Sequence, residues 1–381
     1  MRLAVYLDYP FQREGDAVYT ERAFVLFVGE LAKRMERLVM PGRLEPKEGR
    51  GERSHYRVPD GIEFVPLPWY RTLAEPAKVS SALWGSLRRF WRVLDGVDAV
   101  WLLGPHPLGV PFALLAAVRR KRVFLGVRQD LPRYARSKHP GRRSVQVSAD
   151  LLEASYRLLA LVFPAIVVGP ELARRYRHGR RVLPISVSLI RAAEVPSAEE
   201  LPSRSYEGQL TALSVGRLEG EKNTLMLADV LARLDSSWRL VVCGEGPLEP
   251  ALRERLAELG VADRAELRGY VPFDGGLTEL YRGSHALLHV SWTEGVPQIL
   301  FESFAAGLPV VATAVGGVAG AVGEDALLVP PGDPDAAAGA LERIAADGNL
   351  RRRQVQGGLQ RLRSHTLEAE CERVAAFMAE V

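Results

Sequence analysis

The chain has 381 residues, of which 47% are hydrophobic and 25% are charged. Its length fits two domains of about 150 to 200 residues each, and its composition excludes collagen-like, low-complexity and wholly disordered chains. The apolar runs at residues 99–103 and 112–118 are far shorter than the roughly 20 residues of a membrane-spanning helix. The first residues lack the features of a secretory signal. We therefore expect a cytoplasmic protein without a transmembrane helix.

The two cysteines, Cys243 and Cys371, lie far apart in the sequence. Neither belongs to a group of residues with metal-ligand spacing, so the sequence predicts neither a disulfide framework nor a zinc site. Both thiols are expected to be reduced.

The net charge of +4 hides an asymmetry between the two halves of the chain. Residues 1–190 carry 32 Lys and Arg against 18 Asp and Glu, or +14, whereas the other 191 residues carry 18 against 28, or −10. Most of the excess lies in residues 101–190, with 16 basic and 4 acidic side chains. A field of that sign attracts anions. Codon bias is the alternative origin, since Arg outnumbers Lys 44 to 6, but it does not account for the acidic second half.

In the first half, strand-like runs alternate with helical periodicity, which is typical of an α/β fold with a parallel sheet. The pattern predicts strands at residues 3–7, 62–66, 99–103, 123–127, 166–168 and 182–183. It predicts helices at 19–37, 79–94, 108–118 and 147–161, and a loop at 41–57. The helix at 79–94 mixes aromatic and basic residues, which is typical both of helices at membrane surfaces and of amphipathic helices on a core.

Residues 185–206 contain several Pro and Ser and are predicted to be a linker. Beyond it we expect strands at 210–215, 239–243, 265–268, 286–290, 309–312 and 327–329, and helices at 224–234, 248–259, 277–281, 298–306 and 335–346. The predicted domains are therefore residues 1–190 and 207–365, two doubly wound sheets that form a cleft. Ligands of such sheets bind at the carboxyl ends of the strands, which directs attention to the loops after residues 7, 103, 127, 215, 290 and 312.

One such loop begins with Gly216 and carries Arg217 and Lys222 just before a predicted helix. Gly216 allows a tight turn, and the two cations can extend to one point in front of the sheet. A bidentate guanidinium, an ammonium and a helix N-terminus together suit a diphosphate. The alternative is a pair of solvated charges on a loop.

A second loop, residues 290–303, is more informative. Glu294 and Gly295 are predicted to form a turn, and Pro297 stands where a helix begins. Free amides at this helix start suit phosphate or sugar oxygens. Glu302 lies on the same helix among apolar neighbours, and because an unpaired buried carboxylate costs several kcal/mol, it needs a partner: the hydroxyls of a ribose or hexose, or its own helix, or an arginine.

Several segments share one pattern: the E-x7-E spacing from Glu294 to Glu302, the loop 216–223, and the glycine-containing segments 244–247, 307–313 and 316–317. In this order they resemble the retaining GT-B glycosyltransferases of family 4 over residues 213–346. The resemblance implies a GT-B fold of two Rossmann-like domains, with a C-terminal helix at 366–381 that packs back on the first domain.

The resemblance also implies roles for individual residues. Arg217 and Lys222 would neutralise the diphosphate of a sugar donor, and Glu294 with the following backbone amides would hold the transferred hexose. Glu302 would bind the ribose. The remaining donor contacts would come from the loop glycine, from the residues after Glu294, and from residues 269–271 around the base: Gly216, Gly295, Val296, Pro297, Tyr270 and Val271.

The first half resembles the family in outline and departs from it in detail. Where the family has a glycine-rich loop after the first strand, this chain has Gly15 alone. The histidine that often follows the fourth strand is replaced by Arg128, with Asp130 nearby, and His106 follows the preceding strand instead. These four residues are our candidates for the acceptor side. A carboxylate common in the second half is replaced by Gly320.

The predicted function is transfer of a hexose-type sugar from a nucleoside-diphosphate sugar, UDP- or GDP-linked, to an acceptor hydroxyl with retention of configuration. No cofactor and no metal are expected, because the two cations would stabilise the leaving phosphate. The basic first half suits an anionic or lipid-linked acceptor and contact with the inner membrane face; nucleic acid is not expected. The alternatives are a sugar phosphorylase, a nucleotide-sugar epimerase and a catalytically inactive binding protein. A dehydrogenase is disfavoured, since no Gly-x-Gly-x-x-Gly follows either first strand.

Overall fold

The computed structural model describes residues 1–51, 54–70, 76–139, 141–272 and 276–381, and of residues 48 and 76–81 the backbone only. The chain divides into two compact units. Unit 1 comprises Met1–Pro132, Arg142–Leu189 and Leu367–Val381, and unit 2 comprises Arg133–Gly141 and Ile190–Thr366. Among the described residues, no helix is both long enough and apolar enough to cross a membrane.

Unit 1 is built on a ten-stranded sheet. Its strands are β1 (Arg2–Tyr6), β2 (Pro10–Glu14), β3 (Ala17–Thr20), β4 (Arg37–Glu48), β5 (Tyr56–Arg57), β6 (Ile62–Leu67), β7 (Ala99–Gly104), β8 (Arg122–Val127), β9 (Ala165–Val168) and β10 (Val182–Ile185). Their order is β10-β9-β8-β7-β1-β4-β2-β3-β5, with β6 paired to β4. The pairs from β10 to β4 are parallel, and β3 is antiparallel to β2 and β5.

Unit 2 has a six-stranded sheet in which all pairs are parallel. Its strands are β11 (Leu210–Val215), β12 (Trp238–Cys243), β13 (Ala265–Leu267), β14 (Ala286–His289), β15 (Val310–Thr313) and β16 (Leu327–Val329). Their order is β13-β12-β11-β14-β15-β16. The direction of winding therefore reverses between β11 and β14, and in unit 1 it reverses between β1 and β7. Ligands of doubly wound sheets bind at such reversals.

Helices connect the parallel strands. In chain order they are α1 (Phe24–Ala32), α2 (Pro76–Val93), α3 (Gly109–Val118), α4 (Leu131–Lys138), α5 (Arg143–Ala160), α6 (Pro170–Arg175), α7 (Met226–Arg233), α8 (Glu249–Glu258), α9 (Thr278–Gly283), α10 (Gln298–Ala305), α11 (Val318–Val322), α12 (Pro334–Ala346), α13 (Gly348–Ser364) and α14 (Leu367–Glu380). The start of α12 shows the local chemistry: the Asp333 carboxylate accepts a hydrogen bond from the Ala336 amide, and Pro334 occupies the first turn.

The central strands are buried on both faces, which explains their nearly continuous apolar sequences. Every residue of β7 is buried, with Trp101 at its centre. The last helix, α14, belongs to unit 1: the Cys371 thiol lies 3.4 Å from the carbonyl oxygen of Phe27 on α1, and the Phe377 ring packs against Phe124 on β8.

The prediction of one helix over residues 19–37 is confirmed for Phe24–Ala32 and was wrong at both ends. The structure has strand β3, then the short helix α1, then the start of β4. Gly15, with a φ of +58°, turns the chain between β2 and β3, so residues 17–20 pair with β2 as a hairpin. Residues 17–20 therefore form a strand because they pair with β2, although the spacing over residues 19–37 suggests a helix. The sequence spacing alone did not reveal this pairing.

The prediction of a loop over residues 41–57 was also wrong in most of its length, although residues 52–53 lie outside the described residues. Strand β4 runs to residue 48 and pairs with β1, β2 and β6. Gly42 fits there because a Cβ atom would come within 2.5 Å of the Phe11 ring. The Arg, Gly and Pro residues of this segment therefore lie in a strand that has paired strands on both sides.

Candidate functional site

The candidate site in unit 2 lies where the sheet reverses its direction of winding. The loop after β11 carries Gly216, Arg217 and Lys222, and the loop after β14 leads through Glu294 into α10. Both loops leave the carboxyl ends of adjacent parallel strands, and so they meet at one edge of the sheet.

Glu294 is the centre of this site. Its side chain is 9% exposed, and its Oε1 atom lies 2.6 Å from Nζ of Lys222, 3.0 Å from Nε2 of His289 and 2.6 Å from Oγ of Ser291. Burial by itself favours the neutral acid, but the Lys222 ammonium and the His289 ring outweigh it and hold the pKa of Glu294 well below its usual range. Glu294 is therefore a carboxylate, and among the described residues its polar contacts all involve Oε1.

Arg217 occupies a different part of the loop. Its guanidinium lies 2.6 Å from Oε2 of Glu219 and 2.8 Å from Oε1 of Glu221. Burial, together with the neighbouring Glu219 carboxylate, raises the pKa of Glu221. Arg217 and Lys222 therefore have different carboxylate partners in this conformation, Glu219 and Glu221 for Arg217 and Glu294 for Lys222.

The start of α10 is held close to a neighbouring loop. Pro297 precedes the first helical residue, Gln298, and Val296 is buried. A Cβ atom on Gly317 would come within 2.2 Å of the carbonyl oxygen of Gly295. Glycine is therefore required at residue 317 for the loop of Gly295 to take this path, and the amides of the α10 start are fixed in place.

Glu302 lies inside α10 and its carboxylate has a partner. The Tyr281 hydroxyl donates a hydrogen bond of 2.7 Å to its Oε2, rather than the helix capping or arginine pairing that the sequence left open. Burial raises the pKa of Glu302 to about 7, and the Tyr281 hydrogen bond opposes this increase. Glu302 is thus poised to exchange a proton near neutral pH.

The predicted base-binding residues follow β13. Tyr270 is 42% exposed and Val271 is half-buried. The Gly244 amide donates a hydrogen bond of 2.7 Å to the carbonyl of Gly269, which ties this segment to the loop after β12. Gly320, which replaces the family's carboxylate, lies within α11.

Sequence reasoning missed four residues of this site: His289, Ser291 and Tyr281, which contact the two glutamates, and Lys138. Lys138 belongs to the segment of unit 2 formed by Arg133–Gly141, and its Nζ lies 3.5 Å from Oε2 of Glu219. The signal for His289 was a histidine in an otherwise apolar strand, five residues before Glu294. Nothing in the local sequence pointed to Tyr281 or Lys138.

In unit 1, His106 lies where β1 and β7 reverse the direction of winding. Its Nε2 is 2.8 Å from Oδ2 of Asp8, and the Leu108 amide donates to its Nδ1 over 3.2 Å. The proton is therefore on Nε2, facing Asp8. Arg43 lies 2.8 Å from Oδ1 of Asp8. Although burial opposes it, these partners lower the pKa of Asp8 to about 2. Asp8 and Arg43 were not predicted.

The other acceptor-side candidates have separate contacts. The Arg128 guanidinium donates to the Tyr9 hydroxyl and lies 4.9 Å from the centre of its ring. Asp130 forms an ion pair with Arg175. Gly15 occupies the turn of the β2–β3 hairpin. These candidates thus contact different partners: Tyr9 for Arg128, Arg175 for Asp130 and Asp8 for His106. Within the described ranges, no group of three His, Cys, Asp or Glu residues is placed to hold a metal ion.

Comparison with known proteins shows that the second half of the chain is similar to a sequence family. Residues 198–361 match the family described as glycosyl transferases group 1. D-inositol 3-phosphate glycosyltransferase of Acidothermus cellulolyticus is 32% identical over 58% of this chain and 52% of its own length. 2-Deoxystreptamine glucosyltransferase of Streptomyces kanamyceticus is 29% identical over 68% of this chain and 70% of its own length. The chain spans 12% and 52% of the first two curated relatives that it matches.

The fold has solved counterparts. The structure of HepE from Anabaena in complex with UDP superposes with a TM-score of 0.71 at 16% identity, covering 100% of both chains. Such neighbours show that this chain has the GT-B fold, two α/β units with parallel sheets.

Proposed function

We propose that the protein transfers a hexose-type sugar from a nucleoside-diphosphate sugar to an acceptor hydroxyl, with retention of the anomeric configuration. The observation that carries this proposal is the ion pair of Lys222 and Glu294 at the winding reversal of unit 2, next to the start of α10. An ammonium that suits phosphate, a carboxylate that suits sugar hydroxyls and the start of a helix at one edge of one sheet support this proposal.

Lys222 and Arg217 bind the diphosphate in this proposal. Negative charge develops on the leaving phosphate as the glycosidic bond breaks, and cations placed there stabilise the transition state more than the bound donor. In the present conformation Arg217 pairs with two carboxylates of its own loop, Glu219 and Glu221. When the donor binds, phosphate oxygens replace these carboxylates as partners of the guanidinium. The charge is met by side chains, so the proposal requires neither a metal nor a cofactor.

Glu294 holds the transferred sugar. Its Oε1 is taken by Lys222, His289 and Ser291, which leaves Oε2 for sugar hydroxyls. The amides of Gly295 and Val296, with Pro297 at the start of α10 and Gly216 opposite, complete the sugar-diphosphate contacts. The low pKa of Glu294 supports this role, because a carboxylate accepts hydrogen bonds from hydroxyls.

Glu302 binds the ribose, and Tyr270 and Val271 lie beside the base. A UDP- or GDP-sugar is the donor class that we propose. The complex of HepE with UDP supports UDP, and the exposed ring of Tyr270 is available to a planar base.

Unit 1 supplies the acceptor site in this proposal, with His106 and Arg128 as its main candidates and Gly15 and Asp130 at its margin. His106 and Asp8 occupy in unit 1 the position that the donor residues occupy in unit 2, the winding reversal of the sheet. The excess of basic residues in the first half supports an anionic acceptor, phosphorylated or lipid-linked. The name of the Acidothermus relative, a glycosyltransferase of D-inositol 3-phosphate, is consistent with this class.

The reaction balances without a dedicated base. The bond between the anomeric carbon and the phosphate oxygen breaks as the acceptor oxygen bonds to that carbon from the same face. The acceptor proton passes to the departing phosphate oxygen. The products are a glycoside with the original anomeric configuration and a nucleoside diphosphate.

The first test measures thermal unfolding with UDP, GDP, ADP and dTDP, because a ligand that binds the folded state raises its stability. The sugar form of the nucleotide with the largest effect is then incubated without acceptor. Slow release of free nucleoside diphosphate supports a transferase. Formation of an epimerised sugar would assign an epimerase, and binding without turnover on any acceptor would assign a binding protein; the comparisons do not favour these alternatives.

A further inference from the structure

Unit 1 carries an unusual concentration of exposed aliphatic side chains on two neighbouring helices. Five of them define what we call the outer apolar face, and each is more than half exposed: Leu114 and Val118 on α3, and Val147, Leu151 and Leu158 on α5. Leu161 and Val162 extend the face beyond the end of α5 and are also more than half exposed. In unit 2, no described aliphatic side chain of this size is more than half exposed.

The positions form a continuous stripe. Residues 147, 151, 154 and 158 follow a helical spacing of four, three and four, which places them on one side of α5. The buried residues of the same helix, Ala149, Glu153, Tyr156 and Ala160, repeat this spacing on the opposite side. Helix α5 is therefore apolar towards the sheet and apolar towards solvent, which is not expected of a surface helix that faces water alone.

Helices α3 and α5, which carry the outer apolar face, contact each other in unit 1. A Cβ atom on Gly109, the first residue of α3, would come within 1.9 Å of the Tyr156 hydroxyl of α5. Leu114 and Val118 then follow on α3 at a spacing of four. The outer apolar face therefore belongs to two helices that contact each other.

Basic residues border this face. Segment 142–181 carries eight Arg and three acidic residues, and one of the acids, Glu153, is buried. A surface cavity of about 400 Å³ is lined by Arg157, Glu171, Arg174, Arg175, Arg177 and His178. A second cavity shares Arg157, Arg175 and His178 with the first and is also lined by Ala154, Leu158 and Leu161.

We propose that the outer apolar face is a membrane-binding surface that inserts its aliphatic side chains among the lipids of an anionic bilayer while the arginines bind the headgroups. Amphipathic surfaces of this composition bind at the interface through buried apolar area and attraction to anionic lipids. A symmetric pairing with a second copy is disfavoured by charge, because it brings two arginine-bordered faces together. The proposal does not depend on the proposed function, since it rests on unit 1 alone.

The test is co-sedimentation of the full chain with vesicles of phosphatidylglycerol and phosphatidylcholine, compared with vesicles of phosphatidylcholine alone. We expect at least tenfold tighter binding to the anionic vesicles, weakened by added salt. The variant Leu151→Glu/Leu158→Glu is expected to lose at least tenfold in binding. The matched control, Leu225→Glu/Leu328→Glu, changes two partly exposed leucines of unit 2 and is expected to bind as the unmodified protein does.

Circular dichroism and thermal unfolding verify that both variants fold. Absence of binding to anionic vesicles at low salt would overturn the proposal, as would equal binding by folded Leu151→Glu/Leu158→Glu. Light scattering tests the alternative occupant, a second copy of the chain. If the unmodified protein is a dimer at micromolar concentration and Leu151→Glu/Leu158→Glu is a monomer, the face would be assigned to that second copy. A second variant, Arg157→Ala/Arg177→Ala, should reduce binding to anionic vesicles selectively.

Discussion

The Nζ atom of Lys222 lies 2.6 Å from Oε1 of Glu294, although the two residues are 72 positions apart in the chain. Strands β11 and β14 are hydrogen-bonded neighbours in the sheet, and this pairing brings their following loops together. His289 and Ser291 add two more polar contacts to the same oxygen. The donor site that we propose is therefore organised before any ligand binds.

Replacement of Lys222 by alanine tests the function of this pair. We expect the turnover number for sugar transfer to fall by about 100-fold or more, since a cation that stabilises the leaving phosphate is lost. Stability should fall by about 1 to 3 kcal/mol, because Glu294 keeps its charge with fewer partners. Chemical denaturation and steady-state kinetics measure the two effects.

Lys33→Ala is the matched control, because the exposed Lys33 of unit 1 pairs over 2.7 Å with Glu30, a buried carboxylate that keeps Arg34 as a second partner. It should leave turnover unchanged and stability within about 1 kcal/mol. Undiminished turnover of Lys222→Ala would contradict the role of this lysine.

Arg217 offers a separate test of donor binding. Arg217→Ala should weaken nucleoside-diphosphate binding by about tenfold or more, and Arg217→Lys should restore part of it, because an ammonium replaces the charge but not the bidentate geometry. Arg253→Ala, which removes an exposed helical ion pair with Glu249, is the control. Isothermal calorimetry provides the affinities, and equal affinity in Arg217→Ala and Arg253→Ala would exclude Arg217 from the phosphate contacts.

The raised pKa of Glu302 predicts a pH dependence of stability. Burial raises this pKa from 4.5 to about 7, so the folded protein holds a proton that the unfolded chain releases between these values. This group's contribution is therefore fully present below pH 4.5 and is lost as pH rises through 7. Glu302→Gln, which removes the ionisation, should gain about 1 to 3 kcal/mol relative to the unmodified protein between pH 5 and pH 8.

Urea unfolding at both pH values measures this difference. Glu266→Gln changes an exposed glutamate on β13 and should show no such pH-dependent gain. A constant difference between Glu302→Gln and the unmodified protein at pH 5 and 8 would show that Glu302 does not titrate in this range.

The position of Gly244 beside the loop that begins at Gly216 leaves no room for a side chain at residue 244. A Cβ atom at this position would lie 1.8 Å from the carbonyl oxygen of Gly216, so Gly244→Ala must move one of the two loops. We expect a loss of about 2 to 4 kcal/mol in unfolding free energy. Gly339→Ala, in α12 with no neighbour within 4 Å, should instead stabilise by about 0.5 to 1 kcal/mol. Equal effects in thermal unfolding would contradict the close approach of Gly244 to Gly216.

The parallel core could be predicted from the sequence because its strands are short apolar runs between periodic helices. The predicted strand at 210–215 coincides with β11, and the predicted helices at 79–94 and 147–161 overlap α2 and α5. Residues 8–50, which follow the predicted strand β1, could not be predicted in the same way. Strands β2, β3 and β4 are held by pairing with distant strands, so their local patterns are weak.

The residues of the candidate site can likewise be divided into those that the sequence predicted and those that it did not. Arg217, Lys222, Glu294 and Glu302 lie in segments with a recognisable spacing, and the structure brings Lys222 to Glu294. The residues that add further contacts to the two glutamates, His289 and Tyr281, are defined by packing in the folded unit. In unit 1 the same is true of Asp8, whose contact with His106 depends on strands β1 and β7 being adjacent.

The most direct test of the account compares binding of a nucleoside diphosphate and its monophosphate by isothermal calorimetry, using the base that most raises thermal stability. The account predicts that the unmodified protein binds the diphosphate at least about tenfold more tightly than the monophosphate, and that Lys222→Ala loses most of this preference. Equal affinity of the unmodified protein for the two nucleotides, or an undiminished preference in folded Lys222→Ala, would contradict a pyrophosphate site at Lys222 and Glu294.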